Sequence, residues 1–160
     1  MKLHFLTTLS CAFCAVFSMT PAAATADSKA SSFGTPGVID MPTAEVFEDG
    51  LLLPTLTYSE GVLKQTLAFQ ITPRVFGSFR YSVLQDYGTN GGTLYDRSFD
   101  VGILLMRESK SWPSVVVGLR DFGGTGVYGG EYIAATKTFG SNVRVTGGIG
   151  WGRLGSVGGY

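Results

Sequence analysis

The chain has 160 residues, with 12 Lys and Arg against 12 Asp and Glu, so it is long enough for one ordinary domain and carries no basic footprint for nucleic acid. Its 23 glycines, 12% aromatic and 15% charged residues fit a β-rich chain of packed and turning small residues, and stay short of a collagen-like or disordered composition. The single histidine, His4, falls in the N-terminal stretch, which leaves no histidine-based catalytic or zinc site downstream of it.

Residues 1–26 read as a secretory signal. Lys2 supplies the positive start, residues 5–19 are largely apolar, and Pro21 leads into Ala24-Thr25-Ala26, a small-residue pattern with cleavage expected after Ala26. The apolar run is shorter than the roughly 20 residues that a membrane-spanning helix needs. Both cysteines, Cys11 and Cys14, sit in this stretch, so cleavage removes all thiol and disulfide chemistry. Acylation at Cys11 is the minority alternative, because Thr8-Leu9-Ser10 is a poor context and comes early. Loss of Lys2 leaves 11 bases against 12 acids.

A polar and Pro/Gly-rich lead, residues 27–50, follows, with Pro36 and Pro42 arguing against one continuous helix or strand. A short turn of helix over 43–47, capped by Thr43, fits between its breakers, and the piece as a whole suits a plug or a periplasmic lead into a sheet. From there the chain shows seven strand candidates: 51–59, 62–72, 75–84, 97–107, 112–122, 130–139 and 142–152. Pro54 marks the first as an edge or bulged strand. Short connections (73–74, 108–111, 140–141) alternate with long ones (85–96, 123–129).

The strands carry one apolar and one polar wall, because side chains alternate faces. Val75, Phe79, Tyr81 and Val83 share a face opposite Ser78, Arg80 and Ser82; Val115, Val117 and Leu119 lie opposite Val116, Gly118 and Arg120. A half-buried soluble sheet would explain this. Strand lengths, alternating loop lengths and aromatics at strand ends (Tyr58, Trp112, Phe139, Trp151) favour an outer-membrane-type antiparallel β-barrel spanning residues 51–160, with its apolar wall toward lipid. Seven strands leave such a barrel open, so the chain is expected to be the front part of a larger barrel protein, to oligomerise, or to hold one more strand than the pattern reveals.

Residues 124–129 match G-x-G-x-x-G after a strand, but period-two alternation follows rather than a crossover helix, so the match is a hairpin loop and not a dinucleotide site. Asp121 and Glu131 flank that loop and could act as paired carboxylates for glycoside chemistry, but nothing fixes their separation, acids at loop bases are normally solvated, and no catalytic residue is assigned. Arg80, Asp100, Arg120 and Arg144 project from the polar walls of neighbouring strands. They are expected either to pair with one another inside a narrow barrel or to contact a polyanionic or hydroxylated polymer. Trp151, with Tyr95 and Tyr128, could stack on sugar rings, although girdle or loop packing explains these residues equally well. The candidates for glycan or lumen contact are therefore Arg80, Asp100, Arg120, Asp121, Glu131, Arg144 and Trp151, with no metal or cofactor.

Several segments together resemble the YjbH family of outer-membrane exopolysaccharide proteins. They are the run Gly37-Val38-Ile39-Asp40-Met41-Pro42-Thr43-Ala44-Glu45, the stretch 66–80 containing Phe69-Gln70-Ile71-Thr72-Pro73, and Tyr95-Asp96-Arg97-Ser98-Phe99-Asp100. Trp112-Pro113, Gly118-Leu119-Arg120-Asp121-Phe122, Gly124-Thr125-Gly126, Glu131-Tyr132 and Gly150-Trp151-Gly152-Arg153-Leu154 follow in family order. The resemblance implies a non-enzymatic outer-membrane barrel that takes part in production or export of an extracellular polysaccharide. Its implied partners are the exopolysaccharide, outer-membrane lipid and other polysaccharide-secretion proteins. Family members are several times longer, and some are lipoproteins. A periplasmic carbohydrate-active enzyme using Asp121 and Glu131 is one alternative, and a soluble β-sandwich surface protein is the other.

Overall fold

The computed structural model describes residues 29–89, 91–140 and 143–155. The signal-like stretch, with His4, Cys11, Cys14 and its cleavage site, lies outside the described residues. The ordered elements are two short strands, β1 (Gly37–Val38) and β2 (Met41–Pro42), then β3 (Leu52–Ser59), β4 (Val62–Thr72), β5 (Val75–Tyr87) and β6 (Gly92–Met106). β7 (Ser114–Arg120), β8 (Gly130–Phe139), β9 (Val143–Gly150) and a 3₁₀ turn (Gly152–Leu154) complete them.

Strands β3 to β9 form one antiparallel meander in sequence order, curved into a half-barrel. The chain is all-β, and β1 pairs only with β2 in a separate hairpin. β3, which contains Pro54, is indeed an edge strand, and β9 is the other edge.

Register explains which side chains share a face. Val75, Ile103, Val117, Ile133 and Ile149 lie side by side across five strands, an aliphatic row on the outer, convex face. On the inner face, Thr66, Arg80 and Ser98 are neighbours, as are Lys64, Ser82 and Asp96. In the outer row Ile103, Ile133 (42%) and Ile149 (65%) are exposed and Val75 and Val117 half-buried, whereas Arg80, Ser82, Asp96 and Ser98 are fully buried. Hydropathy and burial therefore run opposite to the pattern of a soluble sheet, in which the apolar wall is the covered one.

Residues 31–47 cover the inner face. They donate no strand to the large sheet. The Ala44 N–H donates to Thr136 Oγ1 (2.8 Å), the Phe47 N–H to Gln70 Oε1 (3.0 Å), and Arg144 pairs with Glu45 (2.5 Å). These bonds account for one departure from the sequence reading: residues 43–47 form no helical turn, because the Ala44 and Phe47 N–H groups are used by the sheet. Thr43 does not cap a helix; its hydroxyl instead bonds Glu45.

The interior has three layers. Phe33, Leu84 and Tyr128 form an apolar cluster at the end carrying the 121–129 connection, and Phe76, Leu104, Val116, Tyr132, Ala134 and Ala44 form another toward the opposite end. A polar belt separates them. Two strand glycines make the second cluster possible. Phe76 faces Gly102 and Tyr132 faces Gly118 as cross-strand partners, and a Cβ on either glycine would lie within 2.3 Å of the opposing ring. Each ring folds over the space its partner lacks.

The connections differ from expectation in length. β5 runs on to Tyr87 and β6 begins at Gly92, because Leu94 and Asp96 alternate inward against Leu84 and Ser82. The expected loop 85–96 is therefore only 88–91. The β6–β7 connection is longer than expected, 107–113, and Trp112 belongs to it rather than to a strand. The two ends of the sheet accordingly differ less in loop length than the sequence suggests.

Candidate functional site

The polar belt lies on the central inward positions of β4, β5, β6 and β7, where an alternating strand must place every second residue. Arg80 on β5 meets Asp100 on β6 in a two-pronged ion pair, Nη1 to Oδ2 at 2.7 Å and Nη2 to Oδ1 at 3.3 Å, with both side chains buried. Asp100 also accepts the Asp121 N–H (2.8 Å) and the Ser78 hydroxyl (3.3 Å). Asp96 accepts the Thr125 hydroxyl at 2.7 Å, which pins the 121–129 connection over the belt.

Asp121 sits at the base of that connection with φ 51°, a left-handed conformation that aspartate tolerates. Its Oδ2 accepts the Tyr128 N–H at 3.0 Å. Burial pushes its carboxyl above the usual aspartate range, and the Tyr128 hydrogen bond partly opposes this.

Phe33 stands at the centre of the cations. Its ring is fully buried, with Lys64 Nζ at 4.1 Å, Arg120 Cζ at 4.4 Å, Arg80 Cζ at 4.8 Å and Arg153 Cζ at 5.6 Å from its centroid. Tyr128 meets it edge-on at 5.3 Å and lies 4.7 Å from Arg153. Ring faces carry partial negative charge, so the two aromatics are partners for the cations as well as apolar filler. Backbone geometry brings Phe33 there. Gly34 has φ 76°, and a Cβ on it would meet Thr55 Oγ1 at 2.5 Å and Thr66 Cβ at 2.8 Å. The β1–β2 turn beyond it is tied down by Ser32, whose N–H donates to the Ile39 carbonyl and whose hydroxyl bonds Asp40, and by Arg120, which donates to the Asp40 carbonyl. Ile39 is held at φ 53°, costly for a β-branched residue.

Of the residues selected from sequence, the structure brings Arg80, Asp100, Arg120 and Asp121 together in the belt. Arg144 is also on the inner face, on β9, where it is exposed beside Glu45. Glu131 and Trp151 lie on the outer face, in a shallow hollow with Val101, Ile103 and Leu119. Asp121 and Glu131 therefore point to opposite sides of the sheet and do not form a pair. Tyr95 is exposed on the outer face, stacked near Tyr81, and Tyr128 is inside. The G-x-G-x-x-G stretch is the hairpin loop between the directly paired β7 and β8. Sequence reasoning missed Phe33, Lys64 and Arg153. Lys64 alternates inward on β4 and was open to discovery on that ground; Phe33 has no periodic context to reveal it.

Beside the belt, the inner face of β8 and β9 borders an open groove of about 600 Å³, lined by Met41, Thr43, Tyr132, Arg144, Thr146 and Gly148. Among the described residues, no group of three or more His, Cys, Asp or Glu side chains is placed to hold a metal, and no helix is long and apolar enough to cross a membrane.

These features define a class: an antiparallel β half-barrel with an exposed apolar wall and a charged interior occupied by its own N-terminal segment. The profile of the YjbH family, described as "Exopolysaccharide biosynthesis protein YbjH", matches residues 29–160, and the chain belongs to that family. It is 33% identical over 135 residues to the "Uncharacterized lipoprotein YjbH" of Escherichia coli (strain K12). That match takes in 80% of this chain but 19% of the relative's length, so the chain spans about a fifth of the relative it matches. No solved structure matches.

Proposed function

We propose that the chain is the barrel-forming part of an outer-membrane protein in exopolysaccharide production or export, and that it guides a glycan along its polar interior without making or breaking bonds. The observation that carries this reading is the inversion of the sheet. Its aliphatic row, Val75 to Ile149, faces outward, and its charges face inward. An apolar outward wall is stable in hydrocarbon, where a charged one would cost about 2–4 kcal/mol per Arg or Lys at the midplane. Tyr58, Trp112, Phe139 and Trp151, all exposed at or beyond strand ends, suit an interfacial girdle. Family membership supplies the link to exopolysaccharide, and the lipoprotein name of the E. coli relative supports an exported, envelope-associated chain.

In this reading the open groove beside Arg144, together with the belt residues Arg80, Asp100, Arg120 and Asp121, forms the glycan-facing side. Glu131 and Trp151 contact the membrane side or another protein of the secretion machinery. The test is membrane fractionation of the tagged full-length protein, with gel mobility compared before and after heating. Outer-membrane recovery with a heat-dependent mobility shift is expected, together with loss of secreted polysaccharide on deletion. A soluble protein with no mobility shift would overturn it.

A further inference from the structure

The rim that carries the 73–74 and 107–113 connections brings two guanidinium groups together with no acid between them. Arg74 Nη1 donates to the Leu105 carbonyl (3.1 Å) and Arg107 Nη2 to the Pro73 carbonyl (2.9 Å), so each side chain reaches into the segment that carries the other. The Leu104 N–H closes the same gap onto the Arg74 carbonyl at 2.7 Å. Both arginines are exposed, and neither is ion-paired among the described residues. Glu108, next to Arg107 in the chain, is taken by Lys137 at 3.3 Å and by the Thr138 N–H at 2.7 Å. Glu48 and Asp49 precede β3 at the same end of the sheet and pair with neither arginine. Each guanidinium uses a single N–H in the bonds above and keeps the rest of its planar fork.

We propose that Arg74 and Arg107 form a clamp for the phosphate group of an anionic membrane lipid. An anion with several acceptor oxygens fills both forks and relieves the repulsion between two like charges held side by side by neutral carbonyls. The surroundings select a lipid as its carrier. Ile71 (58%), Ile103 (42%) and Leu105 (55%) are exposed immediately beside the pair and offer a bed for acyl chains, and Trp112 (65%) stands in the same connection as Arg107. Lipid phosphates lie at the level where a hydrocarbon-facing wall ends, which is also where tryptophan and snorkelling cations gather. The opposite rim is different: its connections, 60–61, 88–91 and 121–129, hold no Lys or Arg. The inference rests on the lipid-facing reading above and deepens it by naming the headgroup chemistry and the residues that hold it.

The experiment uses the full-length protein in a neutral detergent and native mass spectrometry with two probes, phosphatidylglycerol and an uncharged galactosyl diacylglycerol of equal chain length. Inorganic phosphate serves as competitor. Wild type is expected to hold phosphatidylglycerol about tenfold more tightly than the glycolipid, a difference of about 1.4 kcal/mol. The double variant Arg74→Gln, Arg107→Gln is expected to bring the two lipids level. Arg74→Lys with Arg107→Lys keeps the charge without the forks and is expected to fall between. Arg97→Gln removes an exposed base from the same outer face, six residues along β6 from Ile103 and so about 20 Å away, and is expected to bind as wild type does. Heat-dependent gel mobility checks that each variant keeps its fold. Equal retention of the two lipids by wild type overturns the proposal. An equal loss in Arg97→Gln and the double glutamine variant also overturns it, because charge anywhere on the wall would then suffice. Displacement of the lipid by inorganic phosphate alone overturns the choice of a lipid carrier. Failure of the lipid-facing reading would appear separately, as a soluble protein with no mobility shift before any lipid is added.

Discussion

The two faces of β5 are chemically opposite, and each meets the environment that its chemistry would avoid in a soluble protein. Outward, Phe79, Tyr81 and Val83 have no protein layer over them; inward, Ser78, Arg80 and Ser82 are covered completely. The difference shows that the protein itself covers only one side of the sheet. The N-terminal segment lies over the polar face, and the apolar face is left to lipid in the reading proposed above. The inner face gains specificity from a charge network; the outer face needs only to be greasy.

Substitutions that exchange the logic of the two faces test that comparison. The largest effect is expected at Arg80→Ala, which strands the Asp100 carboxylate in the interior. Breaking a buried pair in this way costs about 3–5 kcal/mol, read as a lowered urea midpoint in detergent. A loss below 1 kcal/mol would mean that water reaches the belt freely. Next comes Ile133→Arg, in the middle of the outer row. In lipid bilayers it is expected to lose about 2–4 kcal/mol of unfolding free energy, whereas an exposed position on a soluble protein would shift by no more than about 0.5 kcal/mol. Equal stability of wild type and variant in bilayers would remove the lipid-facing assignment.

The smallest effect is expected at Asp121→Asn. The folded carboxyl has its pKa raised by burial, so the native state binds a proton more tightly than the unfolded chain does. Stability therefore falls as pH rises from the ordinary aspartate value of about 3.9 through the folded value. The asparagine keeps an oxygen for the Tyr128 N–H and carries no charge. Its melting temperature is expected to match wild type in acid and to exceed it at neutral pH, and a gap that is instead largest in acid would reverse the sign.

How much of this was legible from sequence varied by element. Strand β4 was bounded correctly at both ends, because its alternation is clean and Pro73-Arg74 closes it. The start of β6 was not. Asp96 and Tyr95 read as loop residues, since a buried aspartate beside an outward tyrosine is the reverse of the usual strand signal. The belt was half legible: alternation puts Arg80, Asp100 and Arg120 on polar walls, and register then makes two of them a pair. Placing Glu131 with Asp121 relied on proximity in the chain, and a sheet separates such neighbours by face. Phe33 could not be found, because its position depends on Gly34 approaching β3 and β4 from residues with no repeating pattern.

The hydrogen bonds of the inner segment also impose an order of events. Asp40, Ala44 and Glu45 are joined to Arg120, Thr136 and Arg144, across gaps of 80, 92 and 99 residues. The portion synthesised first cannot settle until β7, β8 and β9 have come round to meet it. It must therefore travel unsettled, which its prolines and glycines suit. Its final seating then certifies the assembly: only a sheet curved to the right radius offers all three distant partners at once.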